Sequence, residues 1–154
     1  MPGLVKGTAA VPLPTREELL ELRDKYAQLV VLRQQRDALE ARGVRRLHGA
    51  AAAARRGRVA ALARRFPGAL REIECGASVL RRRLALVEKA LSAPALGVDP
   101  EVVLICDFHQ AVRLHLDREA PRGLMEAVWC DLSRRHGCSV EALKLVLFGT
   151  TPHA

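Results

Sequence analysis

An apolar repeat between Leu70 and Leu91 constrains the fold of this chain more than any other feature. Its members alternate steps of three and four residues over three heptads without a polar interruption: Leu70, Ile73, Ala77, Leu80, Leu84, Val87 and Leu91. This spacing places all of them on one stripe of a helix, as at the contact positions of a coiled coil. It predicts a helix over residues 70–91 that packs lengthwise against another helix. The partner helix lies either in the same chain or in a second copy, which would make the protein a homo-oligomer.

The composition also favours helices. Aromatic residues make up only 3% of the 154 residues, although 49% of the chain is hydrophobic. The core must therefore consist mainly of Leu, Val and Ala, whereas strands favour β-branched and aromatic residues. A chain of this length can bury a sufficient core as one domain without disulfides or metals.

Further helix signals occur on both sides of the repeat. Thr15 and Glu18 form a capping-box pattern, which predicts a helix from there to about Arg42. Its apolar stripe consists of Leu19, Leu22, Tyr26 and Leu29. Later start and stop signals predict helices over 100–119, 124–136 and about 139–149.

These signals together predict an all-α protein, a helical bundle of five to seven helices with one coiled-coil-like heptad helix. Residues 1–14 are expected to form an extended tail, 15–149 a single all-α domain, and 150–154 a C-terminal tail. Within the domain, residues 43–57 are rich in Arg and Ala but contain three glycines. They are predicted to form either a marginal helix or a flexible linker.

Nine arginines lie between Glu40 and Glu72, and no acidic residue separates them. The preference for Arg over Lys agrees with a GC-rich genome, and such a charge run is either a merely solvated face or an anion-binding segment. The missing acids favour the second, since a solvated face normally mixes charges. With a formal net charge of +8, the chain is expected to bind an anionic partner. The candidate binding residues include a second cluster outside the block: Arg45, Arg46, Arg55, Arg56, Arg58, Arg64, Arg65, Arg81, Arg82 and Arg83.

Three functions follow from these features. The favoured prediction is a non-catalytic adaptor that binds an acidic protein partner through the arginine-rich segment. The alternative is sequence-independent binding to a nucleic-acid backbone, although no aromatic residue for base stacking occurs among the arginines before Phe66. The third is a small metalloprotein or enzyme centred on His109. A helix-turn-helix around Gly137 is disfavoured because its second helix would present Val140, Glu141 and Leu145 to DNA.

Cysteine and histidine residues concentrate in the second half of the chain. Cys106 and His109 lie three residues apart on one predicted helix, and Cys130 or Cys138 could complete a zinc site. Burial in the core explains these residues equally well. His109, Arg113 and Asp117 follow at intervals of four, which suits either an acid/base cluster or a surface ion pair. We predict no metal and no cofactor.

The chain shows no secretory signal and no stretch that could span a bilayer. Its longest apolar run, Val102–Cys106, is far shorter than the roughly 20 residues that a transmembrane helix requires. We therefore expect a cytoplasmic protein with reduced cysteines and no membrane span.

Two segments carry a resemblance to other proteins. RRFPGALREIE at residues 64–74 and CDFHQAVR at residues 106–113 resemble short motifs of uncharacterised bacterial helical proteins with an RFPGALRE-like sequence. This resemblance implies a GC-rich bacterial source and an intracellular helical fold. It implies no activity, substrate or site.

Overall fold

A computed structural model describes residues 11–44, 46–117 and 123–149, apart from the side chains of residues 115–117 and 124. These ranges contain no strand, which confirms the predicted all-α bundle. Seven α-helices follow one another: α1 (Arg16–Ala41), α2 (Gly49–Arg65), α3 (Ala69–Glu72), α4 (Ala77–Ser92), α5 (Pro100–Asp117), α6 (Leu124–His136) and α7 (Val140–Phe148). Single 3₁₀ turns occupy Ile73–Cys75 and Pro94–Leu96.

Helices α1 and α4 form an antiparallel pair. Near the end of α1, Arg36 reaches Glu74 just ahead of α4, whereas Leu20 near the start of α1 shares a groove with Glu88 near the end of α4. The predicted capping box is present, because Thr15 and Glu18 each accept a hydrogen bond from the other's backbone N–H. The predicted stripe of α1 is also confirmed as buried: Leu19, Leu22, Tyr26 and Leu29.

The prediction of one continuous helix over residues 70–91 was wrong. Gly76 has a φ of 98° and separates the short α3 and its 3₁₀ turn from α4. Residues with a side chain rarely adopt such a φ, so this glycine permits the change of direction. The buried row of α4 also differs from the predicted seam, since it consists of Leu80, Arg83, Val87 and Ala90. In the described structure α4 packs mainly on α1, so its lengthwise partner helix lies in the same chain.

Helix α5 is the central element of the bundle. Every residue from Val102 to His109 is buried, and eight successive residues cover the whole circumference of a helix. Helices α1 and α4 contact it, as do α6 and α7. The predicted ends of the last two helices are confirmed, since Gly137 terminates α6 in the left-handed conformation and Ser139 caps α7.

Helix α2 is attached to the bundle mainly by its C-terminal end. Of the stretch 43–57, residues 49–57 are helical and continue without a break to Arg65, whereas residues 43, 44 and 46–48 are not helical. Only Leu62 is buried within the helix, and Phe66 directly after it is fully buried as well. The following turn uses Gly68 at a φ of 85°, where an added Cβ would lie 3.2 Å from the Phe108 ring.

In the part of the chain that the structure describes, no helix combines the length and the apolar character needed to cross a membrane.

Candidate functional site

An open cleft lies between α2 and the C-terminal part of α1. It has a volume of about 1190 Å³. Its apolar lining comes from α1, from the connection between the two helices, from α2 and from α3: Leu39, Val44, Leu47, Val59 and Leu70. None of these aliphatic side chains belongs to the fully buried core. The cleft therefore presents an apolar surface to solvent.

The cleft exists because one apolar stripe of α2 is only partly covered. At the C-terminal end of the helix, Leu62 and Phe66 are buried in the core. Towards the N-terminus the same stripe continues through Val59 to Ala52, which lie seven residues apart and so share one face. There the stripe lines the cleft and is not covered by another helix.

Arginines surround this apolar surface. Arg36, Arg46, Arg55 and Arg56 line the cleft, whereas Glu40 is the only acidic residue in its lining among the described residues. An acid-free sequence between residues 41 and 71 rules out the i,i+4 ion pairs that usually compensate charges along a helix. The local charge of the cleft is consequently positive.

The four cleft arginines differ in how they are held. Arg36 Nη1 lies 2.8 Å from Glu74 Oε2, and its Nε lies 3.7 Å from Glu40 Oε1. Arg55 donates only to neutral acceptors, the side chain of Gln35 and the carbonyl of Leu32. Among the described residues, Arg46, Arg55 and Arg56 have no carboxylate partner. These three guanidinium groups can therefore still pair with an external anion.

The other predicted binding residues of the block lie outside the cleft. Arg58 and Arg64 are exposed on other faces of α2. Arg65 pairs with Asp24, and its guanidinium carbon lies 4.7 Å from the centre of the Phe66 ring. Arg65 thus helps to hold α2 on the bundle. Arg45 lies outside the described residues.

The second predicted cluster, Arg81 to Arg83, divides into three different environments. Arg81 is exposed, and Arg82 donates to both carboxylate oxygens of Glu101 at 2.9 and 2.8 Å. The assignment of Arg83 to a binding surface was wrong, because its side chain is only 1% exposed. It occupies the core-facing row of α4 between Leu80 and Val87.

Arg83 is a structural residue that connects three helices. Its Nε donates to Glu101 Oε2 of α5 at 2.7 Å. Its two terminal nitrogens donate to the carbonyls of Leu147 and Val146 at 2.8 and 2.6 Å. These carbonyls are at the end of α7, where the helix itself offers no donors. Arg83 therefore holds the C-terminal end of α7 against α4 and α5.

A buried carboxylate continues this network, and the sequence analysis did not identify it. Glu72 is fully buried, with Lys25 Nζ 2.9 Å from one oxygen. The Tyr26 hydroxyl donates to the other oxygen at 2.9 Å, and Arg83 Nη1 lies 3.5 Å from it. Burial and the Glu72 charge raise the pKa of Tyr26, which keeps its hydroxyl protonated and able to donate. One feature of the sequence could have indicated this network. Arg83 lies at helical spacing between Leu80 and Val87, which places it on the buried face of α4.

His109 lies in the core beside the Phe66 ring, and its Nε2 is 3.9 Å from Glu21 Oε2. It is 1% exposed, and neither ring nitrogen has a hydrogen-bond partner among the described residues. Burial, with the charges of Lys25 and Arg113, lowers its pKa to about 3. The ring is thus neutral near pH 7. Arg113 pairs with Glu21 at 2.6 Å, while the side chain of Asp117 lies outside the described part of the chain.

The residues considered as an alternative zinc site do not form a ligand group in the described structure. Within the described ranges, no group of three His, Cys, Asp or Glu side chains could hold a metal ion. Cys106 is buried, and burial together with the nearby Glu18 raises the pKa of its thiol to about 12. Cys130 is exposed. Asp107 instead binds His136 Nε2 at 2.7 Å and Arg135 at 2.8 Å, which ties α5 to α6.

No family model, curated protein or solved structure matches this chain. The functional argument therefore rests on the geometry and charge of the cleft, since a fold class alone does not define a function.

Proposed function

We propose that this protein is a non-catalytic helical adaptor that binds an acidic segment of a partner protein at the cleft between α1 and α2. One observation carries the proposal. Arg46, Arg55 and Arg56 line an exposed apolar cleft, and no described carboxylate neutralises them. The cytoplasmic location and the bacterial source remain predictions from the sequence.

The contrast with the other arginines supports a binding role for these three. Where arginine stabilises this fold, as at Arg83 and Arg82, it pairs with the carboxylate of Glu101. Arg46 and Arg56 have no such contact in the described structure. A guanidinium group can form two parallel, charge-assisted hydrogen bonds with a carboxylate, which gives direction as well as affinity.

The lining of the cleft favours a protein partner over nucleic acid. A phosphate backbone would use the arginines but not the aliphatic side chains of Leu39, Val59 and Leu70. The described lining contains no aromatic side chain, so bases would lack a stacking surface there. A protein segment with both acidic and apolar residues would use the whole lining.

Nucleic-acid binding remains the second candidate because of the outer faces of α2. Arg58 and Arg64 are exposed there and have no described carboxylate partner. A phosphate backbone could contact them without entering the cleft. This mode would depend on the number of positive charges and not on their position around the cleft.

Binding measurements over a salt series separate the two candidates. The probes are a fluorescent polyglutamate peptide and an unrelated DNA duplex. We expect the peptide to bind at low salt and to lose affinity as salt screens the charges. The double variant Arg55→Gln with Arg56→Gln should weaken peptide binding more than its matched control, Arg58→Gln with Arg64→Gln. A peptide that does not bind at low salt would refute the proposal. Tight duplex binding that both double variants reduce equally would instead establish the second candidate.

A further inference from the structure

The apolar lining of the cleft is exposed to solvent, because no other part of the described bundle packs against it. Val59 is partly buried and Leu70 is 38% exposed, although both belong to helices with fully buried neighbours. Exposed apolar surface grouped in one concave area is typical of a binding site, because covering it is favourable. The surface is therefore suited to an apolar ligand group as well as to an anion.

The dimensions of the cleft suit a helix. The part of α2 that lines it, from Ala52 to Ala63, is roughly 17 Å long at the rise of an α-helix, or about three turns. Along this length α2 presents Ala52, Ala60 and Ala63, whose short side chains let another backbone approach closely. The volume of about 1190 Å³ also exceeds the usual range for drug-sized ligands, about 300–1,000 Å³.

The charges restrict the occupant further. Arg46, Arg55 and Arg56 flank the apolar residues, and Glu40, the one acidic lining residue that the structure describes, already lies near Arg36. The arginines would repel an occupant that carries positively charged residues beside its apolar face. An occupant with acidic residues beside its apolar face would find partners for both.

We infer that the cleft receives an acidic amphipathic helix from a partner protein, seated along α2. Apolar side chains at helical spacing would rest against Leu39, Val59 and Leu70, as in other helix-in-groove complexes. Flanking carboxylates of the same helix would pair with Arg55 and Arg56. This inference rests on the proposed function and adds the secondary structure and the apolar face of the ligand.

Two peptides of identical composition test the role of the apolar face. In the first, leucines recur every three or four residues on one face of a glutamate-rich helix. In the second, the same residues are rearranged so that no apolar face forms. Both carry the same charge, so charge attraction alone would bind them equally. We expect the full-length protein to bind the amphipathic peptide at least about 10-fold more tightly, the effect of one well-buried contact group.

A matched pair of variants tests the location. Ala60 lines the cleft, whereas Ala61 is exposed and lies outside the lining on the opposite side of α2. Ala60→Glu places a carboxylate in the cleft, where it repels the acidic peptide and occupies the space of its apolar face. Ala61→Glu adds the same charge to the same exposed helix outside the cleft. We expect about a 10-fold loss of affinity for Ala60→Glu and less than about a 3-fold loss for Ala61→Glu. Circular dichroism should show an intact helical fold for both.

The possible results separate this inference from the proposed function. Equal affinity for the two peptides would overturn the amphipathic helix and leave charge-based binding of acidic segments intact. Equal losses for Ala60→Glu and Ala61→Glu would place the binding outside the cleft and would also overturn it. Binding of neither the two peptides nor polyglutamate would refute both proposals. Sedimentation tests whether a second copy of the chain occupies the cleft. A dimer that dissociates in the Ala60→Glu variant but persists in the Ala61→Glu variant would identify that second copy as the occupant and contradict the inference.

Discussion

Arg83 and Arg56 are the same residue type in two regions of one molecule, and their roles differ completely. Arg83 is buried between α4, α5 and α7, where it binds a carboxylate and two backbone carbonyls. Arg56 is exposed beside the cleft and has no carboxylate partner among the described residues. The comparison shows that the environment of an arginine here depends on the acceptors that the fold brings to it and not on the local density of positive charge.

The distribution of acidic residues explains the difference. Glu72 and Glu101 are far apart in sequence, but the fold brings both carboxylates to Arg83. Between residues 41 and 71 the sequence contains no acid, so α2 cannot supply a carboxylate to its own arginines. Asp24 pairs with Arg65 at the C-terminal end of α2, whereas Arg56, Arg58 and Arg64 of the same helix have no carboxylate partner among the described residues.

Removal of Arg83 should produce the largest loss of stability. Arg83→Met removes the Arg83 donor from Glu101 and both donors from the carbonyls at the end of α7, and it leaves Lys25 as the one described cation beside the buried Glu72. This loss should cost about 3–5 kcal/mol. Arg81→Met, on the exposed side of the same helix, is the control and should change stability by less than about 0.5 kcal/mol. Urea unfolding measures both. Equal unfolding midpoints for the two variants would remove the distinction between buried and surface arginines.

Leu80→Ala compares packing in the two regions. Leu80 is fully buried in α4, and its truncation should cost about 2–5 kcal/mol through lost burial and a cavity. Val59→Ala changes a side chain at the cleft, where α2 is only partly covered, and should cost about 1 kcal/mol or less. Thermal unfolding compares the two variants. A Leu80→Ala protein as stable as the wild type would show that α4 is not packed on α1 as described.

The pH dependence of stability tests whether His109 is buried away from water in the folded protein. Its pKa of about 3 in the folded state lies below the value of about 6.5 in an unfolded chain. The unfolded state therefore binds a proton that the native state excludes, and stability should fall as pH decreases from about 6.5 towards 3. Between pH 7 and pH 5 the expected loss is about 2 kcal/mol.

His109→Leu serves as the control for that measurement. The variant removes the titrating ring and places an apolar side chain beside Phe66. Its stability should therefore fall less between pH 7 and pH 5 than that of the wild type. Identical pH profiles for the two proteins would show that His109 is solvated in solution.

The sequence predicted the helices more fully than the contacts between them. The α1 stripe and the caps at Thr15 and Ser139 are local features, so spacing and residue type were sufficient. The break at Gly76 was not predicted from the sequence. The apolar spacing from Ile73 to Ala77 is four residues, which fits a continuous helix, although the helix is interrupted between them. A backbone turn at a glycine leaves such a pattern unchanged.

The residues of the candidate site were predicted only in part. The density of arginine pointed to α2, but charge counting could not separate Arg83 from the exposed arginines, because its acceptors come from α5 and α7. The cleft itself depends on how α2 is placed beside α1. That placement comes from the burial of Leu62 and Phe66. The uncovered stripe at Val59 can be identified only when the position of α2 is known.

The most direct test measures stability and binding on one variant. Arg46→Gln, Arg55→Gln and Arg56→Gln together remove the three cleft charges that no described carboxylate neutralises. The control with equal charge is Arg58→Gln, Arg64→Gln and Arg81→Gln, at exposed positions outside the cleft. Both triple variants should unfold within about 0.5 kcal/mol of the wild type. The cleft variant should bind the acidic amphipathic peptide at least about 10-fold more weakly at low salt, and the control should lose markedly less. A cleft variant that unfolds, or that retains full affinity for the peptide, would contradict the assignment of these arginines to partner binding.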